Sequence, residues 1–196
     1  MKRRPGQLRI IGGQWRSRLI AFEADQGVRP TPDRVRQTLF DWLSPRIEGA
    51  VCLDLFAGSG ALGLEALSRG ATHTHFVEQG RAQSLGIREA LHRLDAETRA
   101  EVSQSEALRW LDNAAKQAQR YELVFIDPPY AADLLEPVLQ RLPPLLKSNN
   151  RLYLEWPAGH APTLPAGYAW LKEKQAGQVS FGLATCTANE PGAPLS

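Results

Sequence analysis

The 196-residue chain has little cysteine, methionine or lysine: two, one and five residues. Cys52 and Cys186 are too few for a disulfide framework, so a reduced, cytosolic setting is expected. No stretch approaches the roughly 18–20 apolar residues of a membrane span, and the basic, polar start lacks the apolar core of a signal peptide. The four histidines, His73, His75, His92 and His160, have no companions at metal-ligand spacing, so no metal is expected. His73 and His75 flank a short strand and read as surface or edge residues. Both cysteines read as buried structural thiols. There is no Walker sequence and no G-x-S-x-G elbow.

What is present is arginine, 18 residues of it, carried unevenly. Residues 1–36 hold nine basic side chains against three acidic ones, a net +6. The other 160 residues hold 14 basic and 18 acidic side chains, a net −4. A near-neutral chain thus consists of a basic leading segment and a mildly acidic body. Arg3, Arg4, Arg9, Arg16, Arg18, Arg29 and Arg34 all lie in that segment. The planar fork of arginine suits phosphate and stacks on bases. By charge alone, a solvated basic leader fits equally well.

Apolar content of 43% and charged content of 22% are those of a folded globular chain, and the length suits one domain with an extension. Residues 8–22 read as a hairpin turning at Gly12-Gly13, with its second limb over Trp15 to Phe22. A helix follows, with Thr31 as N-cap, Pro32 at its first position and Asp33 near its positive end. From residue 51 strands and helices alternate. The strands fall at Val51–Leu55, Thr74–Val77, Glu101–Gln104, Leu123–Ile126 and Arg151–Glu155. The helices fall at 61–69, 81–94, 106–118 and 132–142. Such alternation predicts parallel βαβ units. Tyr168 to Lys174 and Gln178 to Cys186 then form an antiparallel hairpin that closes the sheet. The expected architecture is α/β, a Rossmann-like, mostly parallel seven-stranded sheet. Its divisions are an extension over 1–48, a core over 49–187 and a tail over 188–196.

Two motifs carry chemistry. In the first, Asp54-Leu55-Phe56-Ala57-Gly58-Ser59-Gly60-Ala61-Leu62-Gly63, a strand ends, a glycine-rich turn follows and a helix begins. Gly58, Gly60 and Gly63 have G-x-G-x-x-G spacing, and Glu78 stands about twenty residues on, where an acid holds a ribose diol. This pattern admits a nicotinamide enzyme, an adenosylmethionine enzyme or a purely structural turn. Asp54 discriminates between them. A carboxylate at the strand end repels a pyrophosphate and attracts a ligand with ammonium and sulfonium groups. The stretch resembles motif I of class I S-adenosylmethionine methyltransferases. That resemblance implies Glu78 for the ribose hydroxyls and Glu106, where many relatives carry Asp, for the adenine amino group.

The second motif is Asp127-Pro128-Pro129-Tyr130, at the end of an apolar strand. Double proline stops sheet and helix alike and fixes the backbone. An Asp side chain and a backbone carbonyl can accept both hydrogens of one NH₂ group, and a Tyr ring can stack on a base. A proline-rich turn with a packed tyrosine is the bland alternative. The order of the two motifs is that of enzymes methylating exocyclic amines of bases.

Leu8 to Arg16, Arg29 to Leu43, Leu53 to Ala71 and the Asp-Pro-Pro-Tyr stretch together resemble the bacterial RsmD family, up to about residue 186. The resemblance implies a methyltransferase acting on guanine N2 of 16S ribosomal RNA (the guanine-966 type of site), in the small subunit or an assembly intermediate. A cytosolic monomer is expected. Asp127, Pro128, Pro129 and Tyr130 are the implied catalytic set. Asp54, Phe56, Gly58, Ser59, Gly60, Glu78, Gln79, Glu106, Ala107 and Asp127 are the implied contacts to S-adenosyl-L-methionine. Arg3, Arg4, Arg9, Arg16 and Arg18 of the basic segment are the expected RNA contacts, and the resemblance adds Arg29, Thr31 and Arg34 as cofactor or RNA contacts. A DNA adenine-N6 methyltransferase and a non-catalytic RNA-binding module remain the alternatives.

Overall fold

A computed structural model describes residues 6–22, 31–115, 118–129 and 133–187. The chain opens with a two-stranded antiparallel ribbon, β1 (Gly6–Arg9) and β2 (Leu19–Phe22). Between them Gly13–Trp15 forms one 3₁₀ turn, and Trp15 is buried. The second limb is therefore shorter than the apolar pattern suggests, because Trp15 packs inward from a turn. Helix α1 (Asp33–Leu43) follows. Thr31 is not its cap: Pro32 precedes the first helical residue, and the Thr31 hydroxyl is used elsewhere.

The body is a seven-stranded sheet in the order β5-β4-β3-β6-β7-β9-β8. Its strands are β3 (Val51–Asp54), β4 (His73–Glu78), β5 (Ala100–Gln104), β6 (Tyr121–Ile126), β7 (Leu146–Pro157), β8 (Tyr168–Ala176) and β9 (Val179–Cys186). The first five of these run parallel, and β9 pairs antiparallel with both β7 and β8. Helices α2 (Ala61–Ser68), α3 (Arg81–Arg93), α4 (Ala107–Ala114) and α5 (Leu135–Arg141) connect the strands.

Side chains alternate across a strand, so the central strands serve two cores. Leu53, Val124, Ile126, Leu152 and Leu154 pack with Leu111 of α4 and Leu139 of α5. Cys52, Leu123, Phe125 and Tyr153 pack with Leu39 and Phe40 of α1. The ribbon covers a third cluster, where Leu8, Ile10, Trp15 and Ile20 meet α2 and α3. Both cysteines are buried thiols, as expected.

One histidine departs from expectation. His75 is buried, with its Nε2 2.8 Å from the Ser103 hydroxyl and its Nδ1 3.3 Å from the Tyr121 hydroxyl. Trp110 lies edge-on to it. Burial pushes its pKa down to about 4, so the neutral ring is the working form.

Candidate active site

In an open α/β sheet, ligands bind beyond the carboxyl ends of the strands, where the strand order reverses. Here that point lies between β3 and β6, and the Leu55 N–H bonds to the Phe125 carbonyl just there, at 3.1 Å. Asp54 and Asp127, one from each sequence motif, close these two strands.

The turn after β3 is made possible by glycine. Gly58 and Gly60 have φ of +52° and +77°, values that side-chain-bearing residues rarely adopt. Gly63 serves packing instead: a Cβ there would collide with the Phe76 ring of β4. Carboxylates hold the loop. The Gly63 N–H donates to Asp54 Oδ2 at 2.9 Å. Gly58 and Gly80 donate to the two oxygens of Glu78 at 2.7 and 2.6 Å. Glu78 thereby links the glycine turn to the loop that opens α3. Each carboxylate oxygen has two acceptor positions, so these bonds leave room for further donors.

Asp54 is buried, and burial pushes its pKa up to about 7; the neighbouring Glu78 charge adds to this and the Gly63 bond opposes it. Asp127 is raised well above the ordinary carboxylate range. Burial is the main cause, the charges of Glu155 and Asp54 reinforce it, and a hydrogen bond from Thr31 opposes it. Four carboxyl groups, of Asp54, Glu78, Asp127 and Glu155, thus act on one another. Ionising one makes the next harder to ionise.

Among the expected cofactor contacts, Ser59 is buried, Phe56 is half-buried beside the α4–α5 core, and Gln79 is exposed in the loop after β4. Ala107 is buried at the start of α4. Glu106 caps that helix, accepting from the N–H groups of Leu108 and Arg109 at 3.0 and 2.9 Å. Capping accounts for an acid at this position without a ligand.

At the other motif, Pro128 is buried and Pro129 exposed. Thr31 is buried and its hydroxyl donates to Asp127 Oδ2 at 3.4 Å, bringing the segment before α1 to the Asp127 carboxyl. Arg9, Arg16, Arg18 and Arg34 are exposed. Arg3, Arg4, Arg29 and Tyr130 lie outside the described residues.

Three residues escaped sequence reasoning. Glu155 is buried on β7, accepts the Tyr153 hydroxyl at 2.8 Å, and its charge helps raise the pKa of Asp127. An acid within an apolar central strand was the available signal, because burying a charge is costly. Arg36 and Glu65 are wholly buried and joined at 3.5 Å. Glu65 also accepts the Ile11 and Gly12 N–H groups, both at 2.8 Å, so it fastens the ribbon to α2.

Residues 8–185 match the family described as "Conserved hypothetical protein 95". A curated relative, "Ribosomal RNA small subunit methyltransferase D" of Escherichia coli (strain K12), is 45% identical over 185 residues, covering 91% of this chain and 89% of the relative. The chain belongs to the RsmD family. Its Haemophilus influenzae relative of the same name is 39% identical over 181 residues, covering 91% of this chain and 93% of the relative. The solved structure of Escherichia coli yhhF superposes with a TM-score of 0.81 at 44% identity, covering 92% of this chain and 98% of that one. The expected Rossmann-like methyltransferase fold is thus borne out for an RsmD-family chain.

Proposed function

We propose that this RsmD-family chain methylates the exocyclic N2 amine of a guanine in 16S ribosomal RNA, carried in the small subunit or an assembly intermediate. S-adenosyl-L-methionine is the cofactor, and when bound it supplies a methyl group made electrophilic by its sulfonium. The cleft suits that ligand. Asp54, Glu78 and Asp127 gather acidic groups at the strand ends, none of the three is ion-paired among the described residues, and a cation arriving there lets the buried pair ionise. Such a cleft favours a cation and disfavours a pyrophosphate.

The observation that carries the reading is Asp127-Pro128 standing beside Asp54 at the switch point. The buried proline holds its carbonyl in a fixed direction. The Asp127 carboxylate and the Pro128 carbonyl accept the two amine hydrogens, which turns the lone pair toward the methyl. Positioning of this kind supplies much of the rate. Among its acidic neighbours Asp127 tends to keep a proton; a cation beside it favours the ionised, accepting form. After transfer the surplus amine proton leaves to Asp127 or to water. Tyr130 stacks on the extruded base, in the manner of aromatic platforms. Residues 1–48 grip the RNA, and residues 49–187 hold the cofactor.

Tritiated methyl transfer to small subunits from an undermodified strain, with nucleoside analysis, tests this. N2-methylguanosine is expected. N6-methyladenine made on duplex DNA, or RNA binding without transfer, overturns the reading. Asp127→Ala should lower kcat by about 10²–10⁴-fold, the usual worth of such a group, while cofactor affinity measured by calorimetry falls far less than kcat.

A further inference from the structure

The geometry points to a second nucleotide site next to the catalytic carboxyl: a cleft between the ribbon and the start of α1 that receives the nucleoside adjoining the target guanine. This rests on the RNA substrate proposed above. The cleft has a volume of about 400 Å³, within the usual range for small-ligand sites. One wall is Gln7 and Arg9 of β1 with Leu19 of β2. The other is Thr31, Pro32 and Asp33.

The two walls are fastened by one side chain. Arg36 is wholly buried, and its Nε donates to the Thr31 carbonyl at 3.2 Å. Its Nη2 donates to the Arg9 carbonyl at 2.8 Å and to Asp33 Oδ1 at 2.6 Å. The charge is balanced by Glu65 beneath. A guanidinium thus bonds both walls and sets their separation before any ligand arrives. A cleft already formed needs little ordering on binding.

The lining suits a nucleoside. Leu19 is 54% exposed, and Pro32 is exposed across from it. These are flat apolar surfaces for the faces of a base. Gln7 carries both donors and an acceptor for a base edge, and Arg9 offers a cationic fork for phosphate. Polar and apolar groups alternate over a few ångströms, as a base requires and an apolar helix or an acyl chain does not.

Position identifies which nucleoside. Thr31 lines the cleft and also donates to Asp127 Oδ2 at 3.4 Å, so one side chain separates this cleft from the amine-orienting carboxyl. A base extruded toward Asp127 brings its chain neighbour to the Thr31 side. Unpaired bases splayed into separate pockets are the usual way RNA is read.

The native thiols are buried, so Gln7→Cys accepts a photoactivatable azidophenacyl label at one place. Irradiated with undermethylated small subunits, the labelled chain should crosslink to the nucleotide next to the methylated one. Crosslinks only at nucleotides remote from it overturn the proposal. Leu19→Glu replaces the apolar face at an already exposed position with a charge that repels phosphate; KM for small subunits should rise about tenfold with kcat within about twofold and cofactor affinity unchanged, the pattern of weakened uniform binding. An unchanged KM overturns the second site while leaving the methylation reading intact. Wild-type chain that methylates no small subunit overturns the RNA reading itself.

Discussion

Asp54 is asked to be two things. It anchors the glycine turn through the Gly63 N–H, and in the proposed reading it offers charge to a cationic ligand. An exposed aspartate ionises near pH 4, whereas burial holds this one to about 7. Binding a cation favours the carboxylate and expels the proton. Cofactor affinity should therefore rise as pH is raised from about 5 through about 7, then level. Calorimetry in two buffers of different ionisation heat reads the released proton. Asp54→Asn should bind more weakly at every pH and lose the slope. For folding of the free chain the sign is opposite: a raised carboxyl contributes stability below about pH 4 that is lost as pH climbs through about 7. Thr31 acts on the other carboxyl. Its hydroxyl favours ionised Asp127, so Thr31→Val should move the acid limb of the kcat–pH profile to higher pH, and Thr31→Ser should restore it. Motif reading located both carboxyls because their neighbours in sequence are distinctive. It gave Thr31 as a helix cap and the family resemblance gave it as a cofactor or RNA contact; its partner Asp127, 96 residues away, is visible only in three dimensions.

At the level of elements, the alternation of strands and helices was legible throughout, and the ends were not. β7 extends over Leu146–Pro157, well beyond its apolar centre. Its polar run Lys147-Ser148-Asn149-Asn150 conceals the strand, because Asn150 is buried and bonds through its side chain to the Cys186 N–H and carbonyl at 2.9 and 2.7 Å. A side chain that behaves as a peptide group does not look like strand in composition. The ribbon poses a similar problem. Its hold on α2 depends on Glu65, which sits in the helical run Ala61–Ser68, where every residue is buried. Glu65→Ala leaves the buried Arg36 guanidinium with only the exposed Asp33 as its anion, and two N–H groups without their acceptor. Stability measured by urea unfolding should fall by about 3–5 kcal/mol, the usual penalty for breaking a buried pair. Trypsin should also cut faster at Arg9, Arg16 and Arg18, which a loosened ribbon exposes more fully.

Over the whole molecule, charge and topology divide the work. The cleft is acidic, and the net +6 of residues 1–36 belongs to the segment that holds the ribbon and the start of α1. In the proposed reading, cofactor and RNA are attracted by opposite fields in adjoining regions. Replacing Arg3, Arg4, Arg16 and Arg18 with Gln should weaken RNA binding and flatten its salt dependence. The slope of log K against log salt should fall by about 0.7 for each single-stranded phosphate no longer neutralised. Cofactor affinity should hold. Filter binding across a salt series, with calorimetry beside it, separates the two effects.

The bond between the ribbon and Glu65 also sets an order of events during synthesis. Ile11 and Gly12 are made more than fifty residues ahead of the carboxylate that receives them, 54 and 53 positions along the chain. At about 5–20 residues per second the basic ribbon emerges several seconds before α2 exists. For that interval a net +6 segment stands clear of its acidic anchor, next to the ribosome that is making it.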